Sequence, residues 1–110
     1  MEILFKNRKL QKECNTASIA TYGKQRAKKL RQRLDELRAA ETLADLRYLP
    51  AARCHELIGN RAGQLSVDLD HPYRLIFVPA NDPIPRKIDG GLDWLKITTI
   101  SIVEIEDTHE

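Results

Sequence analysis

The spacing of apolar residues changes from helical to alternating near the middle of the chain. Within residues 24–40, apolar positions recur at intervals of three, four and three: Ala27, Leu30, Leu34 and Leu37. This spacing predicts an amphipathic helix with one buried stripe. After Pro50, apolar residues occupy alternate positions: Leu65, Val67 and Leu69. That alternation predicts a half-buried strand.

Shorter patterns predict two elements before the long helix. Glu2–Phe5 is a short apolar run with strand preference. Asn7 can cap a short helix through about Cys14, which would place Leu10 and Cys14 on one face. Residues 15–23 are predicted to be the end of that helix and a loop.

One further turn is predicted between the long helix and the first hairpin. Thr42, with Asp45 three residues later, resembles a capping box with the shorter acid, so a turn toward Leu46 is expected. Pro50 is expected to end it, because its ring disfavours a helical residue before it.

The second half of the chain predicts a sheet. Residues 59–63 form a turn, His71 and Pro72 a tight connection, and residues 73–77 a strand with Arg74 on its polar face. Residues 79–91 contain three prolines and a Gly-Gly pair, which indicates a long loop. Residues 97–103 would place apolar side chains on both faces of a strand, as in a central strand. We predict an α+β fold over residues 1–110: an N-terminal strand and two to three helices packed on one face of a small antiparallel sheet.

Length and composition restrict the class of protein. With 110 residues, the chain suits a single domain. No apolar run approaches the ~18 residues of a membrane helix, and the start lacks a secretory-signal pattern. These features predict a cytoplasmic protein that does not bind a membrane.

The net charge of +2 hides an asymmetry between the two halves. Residues 1–50 carry 12 Lys and Arg against 6 Asp and Glu, whereas residues 51–110 carry 6 against 10. Such asymmetry suggests an anionic partner for the first half. A well-solvated basic helix explains the same charge equally well.

The residue types exclude several kinds of chemistry. The three histidines form no HxxxH or HExxH pair, and Cys14 and Cys54 lie 40 positions apart, so no metal site and no cofactor is predicted. No GxSxG elbow is present. Residues 59–64 contain glycine but lack the P-loop spacing, and a hairpin turn explains them better.

Polar residues on predicted strands remain as candidates. Arg53, His55 and Arg61 surround the first hairpin, Arg74 lies in an apolar strand, and residues 107–109 close the chain. In an antiparallel sheet such residues can meet on one face. Guanidinium groups bind phosphate bidentately, and histidine transfers protons, so the set suits phosphate chemistry. A structural role is nevertheless more common for any single histidine.

The residues Arg53-Cys54-His55-Glu56-Leu57-Ile58-Gly59-Asn60-Arg61-Ala62-Gly63-Gln64 resemble the run R-x-H-x-L-x-G-x-R-x-G-x of the HigB-like toxins. Residues 73–77, Tyr-Arg-Leu-Ile-Phe, resemble the W-R-I-x-F run that follows it in this family. Asp107-Thr108-His109 resembles its closing D-Y-H. This family is the plasmid maintenance killer branch of the RelE/ParE superfamily. The resemblance covers nearly the whole chain, and its motifs are moderately specific together.

The resemblance implies a RelE-like fold and the toxin of a type II toxin–antitoxin pair, neutralised by a small helix-turn-helix antitoxin. Such toxins cleave mRNA on the ribosome without a metal, by attack of the RNA 2′-hydroxyl on the neighbouring phosphate. By position, the implied catalytic residues are His55 and His109 as acid and base, Arg61 and Arg74 on the phosphate, and Asp107 assisting. The implied RNA-binding residues are Lys24, Lys28, Arg31, Arg53 and Tyr73.

Three departures from the family pattern are visible. Thr108 stands where the family has Tyr, which removes an aromatic ring that could stack on a base. Tyr73 replaces the common Trp. The loop at residues 79–96 is longer than usual, and Trp94 within it has no family counterpart that we can assign.

Two alternatives from other classes remain. The first is a non-catalytic protein on the same fold that acts through a protein partner. The second makes residues 24–40 a DNA-recognition helix. The second has little support, because no neighbouring helix with a short glycine turn is placed to complete the motif.

Overall fold

A computed structural model describes residues 1–17 and 19–108, which form a five-stranded sheet with helices on one face. The strands are β1 (Glu2–Phe5), β2 (His55–Glu56), β3 (Leu65–Asp68), β4 (Tyr73–Pro79) and β5 (Thr99–Asp107). The helices are α1 (Arg8–Thr16), α2 (Ile19–Tyr22) and α3 (Lys24–Ala39). The predicted α+β class is confirmed.

The strand order is β1-β5-β4-β3-β2, with β1 parallel to β5 and every other pair antiparallel. The sheet is therefore mixed, which corrects the predicted antiparallel sheet. The parallel pair arises because the helices connect β1 to the rest of the sheet, and apolar spacing alone does not specify this direction. Strand β5 was predicted to be central, and it is an interior strand paired with both β1 and β4, with Ile100 and Ile102 fully buried.

The first helix begins and packs as predicted. The Asn7 side-chain oxygen accepts a hydrogen bond from the amide of Leu10 at 2.8 Å, and Leu10 and Cys14 are buried. Ala17, in the left-handed region at φ 41°, ends α1. The loop predicted for residues 15–23 is partly wrong, since Ile19–Tyr22 is helical.

The long helix buries its predicted stripe and one charged residue besides. Ala27, Leu30, Leu34 and Leu37 have at most 2% of their surface exposed. Arg33 is also buried, at 3%. Its guanidinium donates to the carbonyls of Asp68 at 2.7 Å and Ala51 at 3.0 Å, and to the Glu36 carboxylate at 2.9 Å. Arg33 therefore ties α3 to the end of β3 and to the 3-10 turn Pro50–Ala52.

The segment after α3 differs from its prediction in detail. Leu43–Tyr48 is a 3-10 helix, and the Thr42 side chain makes no capping hydrogen bond. The Asp45 carboxylate accepts from the amide of Glu41 at 2.8 Å. The predicted capping box is therefore wrong, because Asp45 holds the preceding residue instead of Thr42.

The long loop is packed against the core rather than extended into solvent. Arg86 and Leu92 form an isolated antiparallel bridge within it. Trp94 is 8% exposed, its indole N–H donates to the Glu56 carboxylate at 3.0 Å, and the Arg47 guanidinium lies 4.6 Å from its ring centre. Trp94 thus anchors the loop to β2.

The two cysteines are free thiols, Cys14 buried and Cys54 half-buried. Burial raises the pKa of Cys14 to about 11 and that of Cys54 to about 12, from an ordinary 9.0. Because these pKa values are higher in the folded protein, the stability they contribute is present below pH 9 and is lost as the pH rises toward 11 and 12.

We therefore expect a thiol-specific disulfide reagent to leave both cysteines unmodified at pH 8 until urea unfolds the protein. The free energy of unfolding should fall by about 2 kcal/mol for each thiol, and so by about 4 kcal/mol in total, between pH 8 and pH 10.5. Urea titrations at both pH values measure the change, and Cys14→Ala should remove about half of it, because Cys54 still contributes the rest. Rapid labelling of the folded protein at pH 8 would contradict this expectation.

Within residues 1–17 and 19–108, no helix is long and apolar enough to cross a membrane.

Candidate active site on the outer face of the sheet

Two rows of residues cross the sheet on the face opposite the helices, which we call the outer face. In the first row, strand pairing places Ser66 between His55 and Ile76, and Glu104 beyond Ile76. In the second row, Arg74 lies between Asp68 and Glu106. Directly paired residues share a face, so residues from four strands meet here.

The segment between β2 and β3 folds over part of this face. It contains the 3-10 turn Gly59–Arg61, with Gly59 at φ 68° and Gly63 at φ 92°, a region that favours glycine. Beneath the segment, Ser66 and Ile76 are fully buried. The predicted half-buried β3 is therefore wrong: the 57–64 segment covers its second face.

Arg61 holds this segment to β5. Its guanidinium lies 2.7 Å from the Glu104 carboxylate and 3.2 Å from that of Glu106, and it donates to the Gln64 side-chain oxygen at 2.8 Å. The hydrogen bond with Glu104 is the main reason that the pKa of Arg61 is raised.

Arg74 is oriented by the same carboxylate. Its Nε donates to Glu106 at 2.7 Å. Among the described residues, its two terminal nitrogens have no hydrogen-bond partner. Arg74 lines two neighbouring concavities, and His55 lines both as well. Arg61 and Glu106 complete the first concavity, while Arg53 and Asp68 line the second.

The backbone fixes the orientation of the His55 ring. Arg53 has φ 46°, in the left-handed region that a non-glycine residue rarely adopts. Its carbonyl lies 2.7 Å from His55 Nδ1. In the neutral ring Nδ1 must be the donor to this carbonyl, so Nε2 is left unprotonated and can accept a proton. The Arg53 guanidinium lies 3.5 Å from Asp68.

Two other predicted site residues lie on the helical side of the sheet. Asp107 pairs with Tyr73 across the strands, which puts both on that side, and Tyr73 also borders the second concavity. The Tyr73 ring stacks with the Arg26 guanidinium, 3.2 Å from the ring centre. His109 lies outside the described residues. The Thr108 amide donates to Pro72 at 3.0 Å, so the described chain ends at the rim of the second concavity.

The predicted RNA-binding residues of α3 are also separate from this site. Lys24, Lys28 and Arg31 are exposed, and they line neither concavity. Among the described residues, none of them forms an ion pair, whereas three arginines of the same helix do: Arg26, Arg33 and Arg38.

Sequence reasoning missed the carboxylates of the site. Glu104 and Glu106 flank Ile105, and this alternation alone indicates that they share a strand face. Asp68 lies between Val67 and Leu69, so the same alternation puts it on the opposite face from these two apolar residues. Within the described residues, no cluster of His, Cys, Asp and Glu suited to a metal ion is present.

The fold and the site together define a class: a small α+β protein whose outer sheet face presents a histidine among arginines, as expected for a RelE-like toxin. Comparison with protein families gives the particular family. Residues 5–89 match the HigB-like toxins, described as RelE-like toxins of the type II toxin–antitoxin system HigB, and the chain belongs to this family. Membership implies an antitoxin partner. Comparison with curated proteins found no match.

The residues that match the family, 5–89, include only part of the candidate site. His55, Arg61 and Arg74 lie inside it, whereas β5 with its two glutamates lies beyond residue 89. The family therefore covers the histidine and the arginines, and this structure adds the carboxylates that pair with them.

Proposed function

We propose that this toxin is a ribosome-dependent mRNA endoribonuclease that cleaves RNA by acid–base chemistry without a metal. The observation that best supports this function is that His55 and Arg74 line the same two concavities. One group is suited to moving a proton and the other to binding a phosphate.

The proposed reaction uses the RNA as its own nucleophile. A base removes the 2′-hydroxyl proton, the 2′-oxygen bonds to the adjacent phosphorus, and the bond from phosphorus to the 5′-oxygen breaks. An acid protonates that leaving oxygen, which gives a 2′,3′-cyclic phosphate and a 5′-hydroxyl end. His55, with Nε2 unprotonated, suits the base, and His109 remains the predicted acid. The arginines stabilise the charge that develops on the phosphate.

The second group of cations suits attachment to the ribosome. Lys24, Lys28 and Arg31 point to solvent without an acidic partner among the described residues, so they are available for phosphate groups of ribosomal RNA. Such attachment weakens with salt, because binding releases counterions. Arg53 and Tyr73 remain predicted RNA contacts at the second concavity, which both residues line.

One observation favours a second function, a non-catalytic toxin that acts on a protein partner. Each arginine of the outer face is paired with a carboxylate: Arg53 with Asp68, and Arg61 and Arg74 with Glu106. The face therefore has little net charge with which to attract RNA from a distance.

Inducible expression with mapping of mRNA 5′ ends separates the two functions. We expect new 5′-hydroxyl ends with the parent protein, and about 100-fold fewer with His55→Ala or His109→Ala, the usual effect of losing an acid or base. Arg86→Ala, on the exposed part of the long loop, is the control and should cleave as the parent does. Full growth arrest by both histidine variants, without new mRNA ends, would show the protein-directed function instead.

A further inference from the structure

One carboxylate lies between two guanidinium groups on the outer face. Glu106 accepts from Arg74 Nε at 2.7 Å, and its other oxygen lies 3.2 Å from Arg61 Nη2. Side chains of Glu106, Arg61 and Arg74 are only 21%, 26% and 23% exposed, so water screens these contacts incompletely. The carboxylate holds together two cations that would otherwise repel each other.

The two guanidinium groups differ in what they leave available. Both terminal nitrogens of Arg61 are occupied, Nη1 by Glu104 and Gln64 and Nη2 by Glu106. Arg74 uses only Nε among the described residues. Its terminal nitrogens therefore remain as a planar pair of donors, the geometry that matches two phosphate oxygens.

We propose that Glu106 and Arg61 are positioning residues and that Arg74 is the phosphate ligand of this site. Arg61 fixes the Glu106 carboxylate from one side, and Glu106 fixes the Arg74 side chain, which lines the two concavities that His55 also lines. This inference rests on the proposed nuclease function, and it changes the role predicted for Arg61 from phosphate contact to support.

Removing the Glu106 carboxylate would either strengthen or weaken phosphate binding, and the direction shows whether Glu106 competes with phosphate or positions Arg74. If Glu106 merely occupied the place of the phosphate, its removal would free both arginines and strengthen phosphate binding. If Glu106 positions Arg74, its removal weakens binding and slows cleavage, because a small displacement of a catalytic group is costly. Glu106→Gln keeps the size of the side chain, removes its charge and replaces one of its two acceptor oxygens with an NH2 donor.

Inorganic phosphate, titrated into ¹⁵N-labelled protein, tests the inference without any cleavage. We expect phosphate to shift the terminal nitrogen signals of Arg74 and not those of Arg61. Glu106→Gln should move the Arg74 Nε signal and weaken phosphate binding at least fivefold. Glu104→Gln, which loses a contact to Arg61 alone, is the matched control and should leave the Arg74 Nε signal in place. Tighter phosphate binding by Glu106→Gln, or an Arg61 shift instead of an Arg74 shift, would overturn the proposal.

Ribosome-dependent cleavage supplies the second test. Arg74→Ala should lower kcat about 100-fold. Glu106→Gln should lower kcat about tenfold with KM within twofold, and adding Arg61→Gln to it should cost little more, since Arg61 acts through the same carboxylate. Full additivity of these two substitutions would overturn the positioning role of Arg61. A parent protein that binds phosphate through Arg74 but cuts no mRNA would refute the nuclease function and leave the positioning role intact.

Discussion

Arg33→Ala is expected to lower the free energy of unfolding by about 3 kcal/mol. The Arg33 guanidinium is buried and donates to two backbone carbonyls, of Asp68 and Ala51, and to the Glu36 carboxylate. Removing it leaves both carbonyls without that donor and opens a space between α3 and the sheet. Urea unfolding followed by far-UV circular dichroism measures the change.

Arg31→Ala is the matched control for this prediction. It removes the same side chain from the exposed side of the same helix, so we expect its stability to differ from the parent by less than about 0.5 kcal/mol. Arg33→Met, which fills part of the space but cannot donate, should be intermediate. Equal stability of Arg33→Ala and Arg31→Ala would show that the three hydrogen bonds contribute nothing net.

Most elements of the fold could be predicted from local patterns in the sequence. The stripe from Ala27 to Leu37 and the Asn7 cap depend on interactions within one helix, and both are as predicted. Arg33 could not be predicted in this way. Its position falls beside the apolar stripe, and its partners are carbonyls of residues 18 and 35 positions away. Only the completed fold brings such backbone groups to the helix.

The candidate site shows the same limit. Motif resemblance selected His55, Arg61 and Arg74, and all three line one concavity of the outer face. The motif resemblance also placed Asp107 in this region, but a shift of one position along a strand moves a side chain to the other face of the sheet. Asp107 lies one residue beyond Glu106, which makes the ion pairs on the outer face.

Pairing of charges also explains why the net charge of each half of the chain does not by itself show which surface would bind an anionic partner. Three cations of the acidic second half, Arg53, Arg61 and Arg74, are held by nearby carboxylates on the outer face. The exposed cations Lys24, Lys28 and Arg31 of α3 lack such partners among the described residues. Long-range attraction of RNA is therefore expected from the helices and local phosphate recognition from the sheet, so mutations in the two regions should differ in salt dependence.

The long loop contributes to stability through a single aromatic residue. Trp94 packs in the core with Arg47 against its ring, and its indole N–H reaches Glu56, the neighbour of His55 on β2. That strand pairs with β3 at only two positions, so it has few other contacts to hold it. Trp94 therefore connects the loop to the element that carries the candidate base.

Trp94→Ala is expected to lower the free energy of unfolding by about 4 kcal/mol, as usual for a buried aromatic residue. Trp94→Phe keeps the ring contacts and loses the hydrogen bond to Glu56, so about 1 kcal/mol is expected. The neighbouring Leu95 is 70% exposed, and Leu95→Ala is the control that should leave stability unchanged. Urea unfolding measures all three variants. If Trp94→Ala were as stable as Leu95→Ala, the loop would not be anchored by this side chain, and the support it gives to β2 would have to come from the Arg86–Leu92 bridge and the backbone alone.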